Sequence, residues 1–111
     1  AEMFPRARTS VKAAFDAGVK IAVGTDAPAI PHGRNADELV ALVERGLDPL
    51  SVLRAATVTA AELIQVDDRG RLAEGLLADV IGVPGDPLAD ITVTQQVRFV
   101  MKGGKVYGGN R

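Results

Sequence analysis

The sequence predicts an α/β fold, and three observations carry the prediction. An apolar run, Val19-Lys20-Ile21-Ala22-Val23, stands between Gly18 and Gly24 and reads as a short, fully buried strand of a parallel sheet. Apolar residues at helical spacing flank it on both sides. After Asp67-Asp68-Arg69-Gly70 the texture changes to short β-type runs punctuated by Gly and Pro. The expected order is helix, strand, further helices and then a small β segment. The boundary falls near residues 66–70, with 1–66 forming one part and 67–111 the other.

Each element has its own signal. Pro5 suits a first helical turn, Val11, Ala14 and Phe15 repeat at helical spacing, and Gly18 supplies a stop, which predicts a helix over about 6–17. The strand over 19–23 follows at once. From Thr25 to Arg34 there is no periodicity, and Pro28 and Pro31 break any regular element. Asn35 to Arg45 reads as a helix with Asn35 as cap, Glu38 in the capping-box position, Leu39, Leu42 and Val43 on one face, and Gly46 as terminator. Asp48 and Pro49 open a second helix carrying Leu50, Leu53 and Ala56. Thr59-x-x-Glu62, with Leu63 and Ile64 behind it, marks a third. Ala78 to Val83 is a β-type run that ends in the turn cluster Pro84-Gly85-Asp86-Pro87. Val97 to Met101 alternates as a strand does. Gly103-Gly104 then signals a two-residue hairpin returning as Lys105-Val106-Tyr107.

Composition removes whole classes of function. The 111 residues are 47% hydrophobic and 24% charged, an ordinary globular balance. Thirteen basic against fourteen acidic residues give a net charge of -1 with no run of either sign, so a nucleic-acid or anionic-membrane partner has no electrostatic footprint. No apolar stretch approaches the ~20 residues of a membrane helix. Charges among Ala1 to Arg8 occupy the place where a signal peptide would be apolar, and a cytoplasmic location is expected. With no cysteine and His32 as the single histidine, disulfides, thiolate nucleophiles and a multi-histidine metal centre cannot be drawn from this chain.

The residues that can carry chemistry are few. Asp26 follows the predicted strand in Gly24-Thr25-Asp26, and in α/β enzymes the site is built at the carboxyl ends of strands. It reads either as a metal ligand or general base, or as an acid capping a turn. His32, in the same loop, reads as a substrate contact or as an exposed loop residue. Thr25 can hydrogen-bond the neighbouring carboxylate. Gly70-Arg71-Leu72-Ala73-Glu74-Gly75 matches neither a dinucleotide fingerprint nor a phosphate loop and is expected to be a turn between strands. Asp79 is expected to be structural, and Asp67 and Asp68 solvated.

Taken together, three segments resemble the amidohydrolase superfamily of metal-dependent hydrolases, in its imidazolonepropionase-like and Xaa-Pro dipeptidase-like branch. Gly18 to Asp26 is similar to the eighth barrel strand with its metal-site aspartate. Ala55-Ala56-Thr57 through Ala60-Ala61-Glu62-Leu63-Ile64 is similar to the helix that follows barrel closure. Gly70-x-Leu72-x-x-Gly75-x-x-Ala78-Asp79-Val80, with Asp86-Pro87-Leu88 and Val97 to Tyr107, is similar to the small β-domain that closes such chains. Leu76 stands where the family usually has Lys.

The resemblance implies the last βα unit of a (β/α)8 barrel with trailing helices, followed by part of a composite β-sandwich. This corresponds to about the last quarter of a family member, whose barrel alone runs to ~250 residues. It implies hydrolysis of carbon–nitrogen bonds by water activated on a divalent metal, expected to be zinc. Asp26 would be metal ligand and proton shuttle, and His32 would contact substrate. The remaining ligands, a His-x-His pair, often a carboxylated lysine, and two further histidines, have no counterpart here. The chain alone is therefore expected to hold metal poorly and to be inactive.

The opening Ala1-Glu2, with its first Met at position 3, adds to the expectation of a piece of something longer. A small amide or dipeptide is the expected substrate of the intact enzyme. A homo-oligomer, or association with the missing barrel portion, is the expected assembly, with 19–23 or the helix at 35–45 in the contact. The alternative from another class is a non-catalytic, self-associating module that kept the fold elements and lost the site.

Overall fold

The computed structural model describes residues 5–24 and 34–108. Helix α1 spans Pro5–Asp16, α2 Asp37–Glu44, α3 Pro49–Ala56 and α4 Val58–Leu63. Strand β1, Val80–Gly82, precedes a 3₁₀ helix at Ile91–Gln95, and β2, Phe99–Lys102, and β3, Lys105–Gly108, complete the chain.

The core gathers between the first three helices. Leu42, Leu47 and Val52 are buried, Val52 completely, and Val11, Phe15, Ile21, Val23, Leu39 and Val43 pack on them half-buried. Helix α2 turns into α3 through a tight reversal at Gly46, whose φ is +107°. The N–H of Gly46 reaches the carbonyl of Val43 (3.0 Å) and that of Leu47 the carbonyl of Leu42 (3.2 Å). This is a Schellman closure, and it sets Leu47 on Leu42 in the core. Asp48 caps α3 as its sequence predicts, its carboxylate accepting from the Ser51 N–H (3.1 Å) and hydroxyl (2.7 Å), with Pro49 at the first position.

Two expected capping boxes do not form. Helix α2 begins at Asp37 behind Ala36, and the N–H groups of Asp37 and Glu38 bond the carbonyls of Arg34 and Asn35 (3.1 and 3.2 Å). A preceding turn thus satisfies the donors that the Asn35 side chain was expected to cap. Helix α4 begins at Val58, so Thr59 lies inside it. Thr57 joins α3 to α4 and donates its hydroxyl to the Leu53 carbonyl (2.7 Å). Glu62 meets the Lys20 ammonium instead (3.3 Å).

The expected strand over 19–23 has no ladder among the described residues and is not fully buried: Val19 is 55% exposed and residues 21–23 are half-buried. A ladder needs a neighbouring strand, and the described chain supplies none there. The segment does alternate as a strand would. Ile21 and Val23 face the core, Lys20 points away to Glu62, and the Val23 N–H donates to the Ala55 carbonyl (3.1 Å).

Residues 67–79 are irregular with a turn at 74–75, and among the described residues no strand precedes them, which corrects the expected turn between strands. Gly70, at φ +108°, lies against α4, where a Cβ would stand 3.1 Å from Ala61 Cβ and 3.2 Å from the Thr57 carbonyl oxygen. The three strands form an antiparallel sheet in the order β1-β2-β3. Lys102 pairs with Lys105 across Gly103-Gly104, both at positive φ, as the two-residue hairpin requires. Phe99 and Met101 lie on the better-buried face of β2. The 3₁₀ helix, unforeseen in the sequence, is opened by Asp90, which accepts from the Thr92 N–H (3.0 Å). It buries Ile91 and Thr94 and packs on α2.

Candidate functional site

The Val23–Ala55 bond fixes the end of the 19–23 segment on α3, and Gly24 follows at the head of an open cleft. Val23 and Gly24 form one side of this cleft, Arg34 to Asp37 another, and Ile81, Gln95 and Val97 the third. Gly24 and Arg34, the described residues on either side of 25–33, thus both line the cleft. Thr25, Asp26 and His32 lie outside the described residues.

The described charged groups of the cleft are Arg34 and Asp37. Arg34 donates Nε to Asp37 Oδ2 (3.0 Å), with Nη2 2.8 Å from the same oxygen as an ion pair, and Gln95 donates Nε2 to Oδ1 (3.0 Å). One carboxylate therefore joins Arg34, the start of α2 and the 3₁₀ helix 58 positions further along the chain. The Arg34-x-x-Asp37 spacing was legible as an opposite-charge pair three positions apart, just ahead of α2. Gln95 carried no local signal.

Asp79 has the structural role expected of it. Its Oδ1 accepts from the Gly103 N–H (2.8 Å) and Lys102 Nζ stands 3.6 Å from Oδ2. The amide bond foremost, then the lysine charge, holds this carboxyl below its ordinary pKa. Asp68 is not merely solvated: it accepts from Arg69 Nε at 3.0 Å, which lowers its pKa likewise.

The described residues do not fit a metal centre by themselves. No group of three or more His, Asp or Glu side chains among them is arranged to hold an ion, and catalytic zinc sites take three protein ligands. Also among the described residues, no helix is long and apolar enough to cross a membrane.

Comparison with known proteins agrees with this architecture. Residues 3–107 match the model of the amidohydrolase family. The ochratoxinase of Aspergillus niger is 45% identical over 102 residues, a match spanning 86% of this chain and 21% of that protein. The imidazolonepropionase of Deinococcus deserti is 37% identical over 96 residues, covering 81% of this chain and 24% of its own length. A crystal structure of a Xaa-Pro dipeptidase with methionine bound in its active site superposes with a TM-score of 0.90 at 40% identity, over 95% of this chain and 26% of the dipeptidase. The chain thus spans about a fifth to a quarter of the length of these relatives. With the match running from one end of the fold to the other, this chain belongs to the amidohydrolase family.

Proposed function

We propose that this chain supplies the closing part of a metal-dependent amidohydrolase that cleaves carbon–nitrogen bonds in small amides or dipeptides. In this reading residues 19–23 are the last strand of a (β/α)8 barrel, 1–66 belong to that barrel, and 67–111 form part of its small β-domain. The observation that carries the reading is the docking of Val23 on α3, which brings the chain to a cleft immediately before Thr25 and Asp26. Likeness to hydrolases over nearly the whole chain supports it.

Asp26 is the catalytic carboxylate. It takes a proton from the attacking water and returns it to the leaving nitrogen, acting first as general base and then as general acid. It is also this chain's one ligand to the divalent cation, expected to be zinc, whose other ligands come from outside the 111 residues. His32 contacts the substrate.

The test is Asp26→Asn in the full-length enzyme. Proton transfer belongs to the transition state, so kcat should fall by roughly 10²–10⁴-fold with much less change in KM. A variant keeping more than about a tenth of wild-type kcat/KM would remove Asp26 from the mechanism. His32→Ala should mainly raise KM.

A further inference from the structure

We propose that Asp37 and Gln95 are positioning residues for the hydrolytic site: they fix Arg34, and through it one end of the span that carries Asp26 and His32. This rests on the hydrolase reading and adds the groups that hold its aspartate in place. The tie is made wholly between residues of this chain, so it does not depend on which surface the rest of the barrel covers.

Residues 25–33 run between two described points, Gly24 and Arg34. Asp26 and His32 each stand two positions from one of them. The first point is set by backbone, the Val23 N–H donating to the Ala55 carbonyl (3.1 Å). The second is set by Asp37, which grips Arg34 twice. Its N–H donates to the Arg34 carbonyl (3.1 Å), and its Oδ2 accepts from Arg34 Nε (3.0 Å). A local ion pair of this kind is worth little by itself. What sets it apart is the other oxygen, Oδ1, which accepts from Gln95 Nε2 (3.0 Å). Gln95 belongs to the 3₁₀ helix, which is seated on α2, buries Ile91 and Thr94, and is closed by the Thr94 hydroxyl on the Ile91 carbonyl (2.7 Å). The Asp37 carboxylate therefore cannot turn without breaking a bond on one side or the other, and bonds to a charged acceptor are of the stronger kind. A proton-transferring group works only near its productive position, and ordering it beforehand removes an entropy cost from the reaction. The small β segment thus reaches the site through one amide.

The chemistry of the pair supplies the test, in the full-length protein. A carboxylate only accepts, whereas an amide both donates and accepts. Gln95→Glu sets two acceptors against each other and should open the tie. Adding Asp37→Asn restores one donor facing one acceptor, while the oxygen of the new amide still serves Arg34. On N-acetyl-L-leucine and leucyl-leucine, kcat should fall about tenfold in Gln95→Glu with much less change in KM, and the double variant should recover most of it. Gln95→Met removes the donor without adding charge, should lose as much, and should gain nothing from Asp37→Asn; it stands in for the first variant if that does not fold. In the Asp26→Asn background Gln95→Glu should cost little more, because the group being positioned is gone. A loss of the same size in both backgrounds, or no recovery in the double variant, overturns the proposal.

Amide hydrogen exchange gives a readout independent of turnover. Amides over 25–34 should exchange about tenfold faster in Gln95→Glu and return in the double variant, while α3 and the β2–β3 hairpin keep their wild-type rates. A merely structural role would speed exchange throughout, and unchanged exchange over 25–34 overturns the proposal. If wild type cleaves neither substrate faster than Asp26→Asn does, the hydrolase reading fails while exchange still decides whether Asp37 and Gln95 hold the span.

Discussion

Gln65 is the one described non-glycine residue at positive φ, +62°. It sits where α4 closes: its N–H reaches the Glu62 carbonyl (3.1 Å) and the Val66 N–H reaches the Ala61 carbonyl (3.1 Å). This is a second Schellman closure, built with glutamine at the position that usually takes glycine. The left-handed conformation costs an L-residue roughly 1–2 kcal/mol, and glycine offsets part of that gain through its freer unfolded chain. Gln65→Gly should therefore stabilise the protein by about 0.5–1 kcal/mol in denaturant titration, and a destabilised variant would show that the Gln65 side chain makes up the difference. Gly70 is the opposite case. Its positive φ and its approach to Ala61 and Thr57 both require that nothing be added.

At the scale of elements, the β2–β3 hairpin is tied to the chain entering β1. The Gly103 N–H donates to Asp79 and the Gly104 N–H to the Ala78 carbonyl (3.0 Å). The lowered pKa of Asp79 comes chiefly from the Gly103 amide and then from Lys102. Asp48 and Asp90 are lowered in the same way, by the hydroxyls and N–H groups of Ser51 and Thr92. A carboxyl whose folded pKa lies below its unfolded value stabilises the fold above the unfolded value, ~3.9 for Asp, and that contribution is lost as pH falls through the folded value. Melting temperature should therefore decline on acidification from about pH 5 to pH 3. Asp79→Asn keeps an acceptor for Gly103 but cannot titrate, so its decline should be shallower. Equal slopes for wild type and Asp79→Asn would sever the hairpin tie from the acid sensitivity.

At the scale of the whole molecule, the core is small for the apolar surface that remains. Leu63, Ile64, Leu72 and Ile81 are all more than half exposed, Leu72 at 80%, and the last three line a second groove between α4 and β1. The 19–23 segment also has its backbone largely unladdered. Contiguous apolar surface and open strand backbone are sites of association. The 111-residue chain by itself should thus run as a dimer or larger in light scattering, hydrolyse no amide and hold zinc poorly. A stable monomer at high micromolar concentration would favour a self-standing module. Micromolar or tighter zinc binding, abolished by Asp26→Asn, would show that one aspartate and one histidine suffice.

Sequence by itself determined what depends on neighbours along the chain. Asp48-Pro49 sets the start of α3, Gly46 the end of α2, and Gly103-Gly104 the hairpin, because caps and turns are decided by which residues can adopt a given φ or offer an oxygen three positions away. The family was legible in the same way, from short motifs in order. Tertiary structure decided what depends on partners far off in sequence. Asn35 and Thr59 lost their capping roles to a preceding turn and to the α3–α4 junction. The 3₁₀ helix formed where Ile91 and Thr94 could be buried beside α2. Gln95 joined Asp37 and Arg34 across the cleft, a juxtaposition that no local pattern encodes, since it exists only once the two halves of the chain pack together.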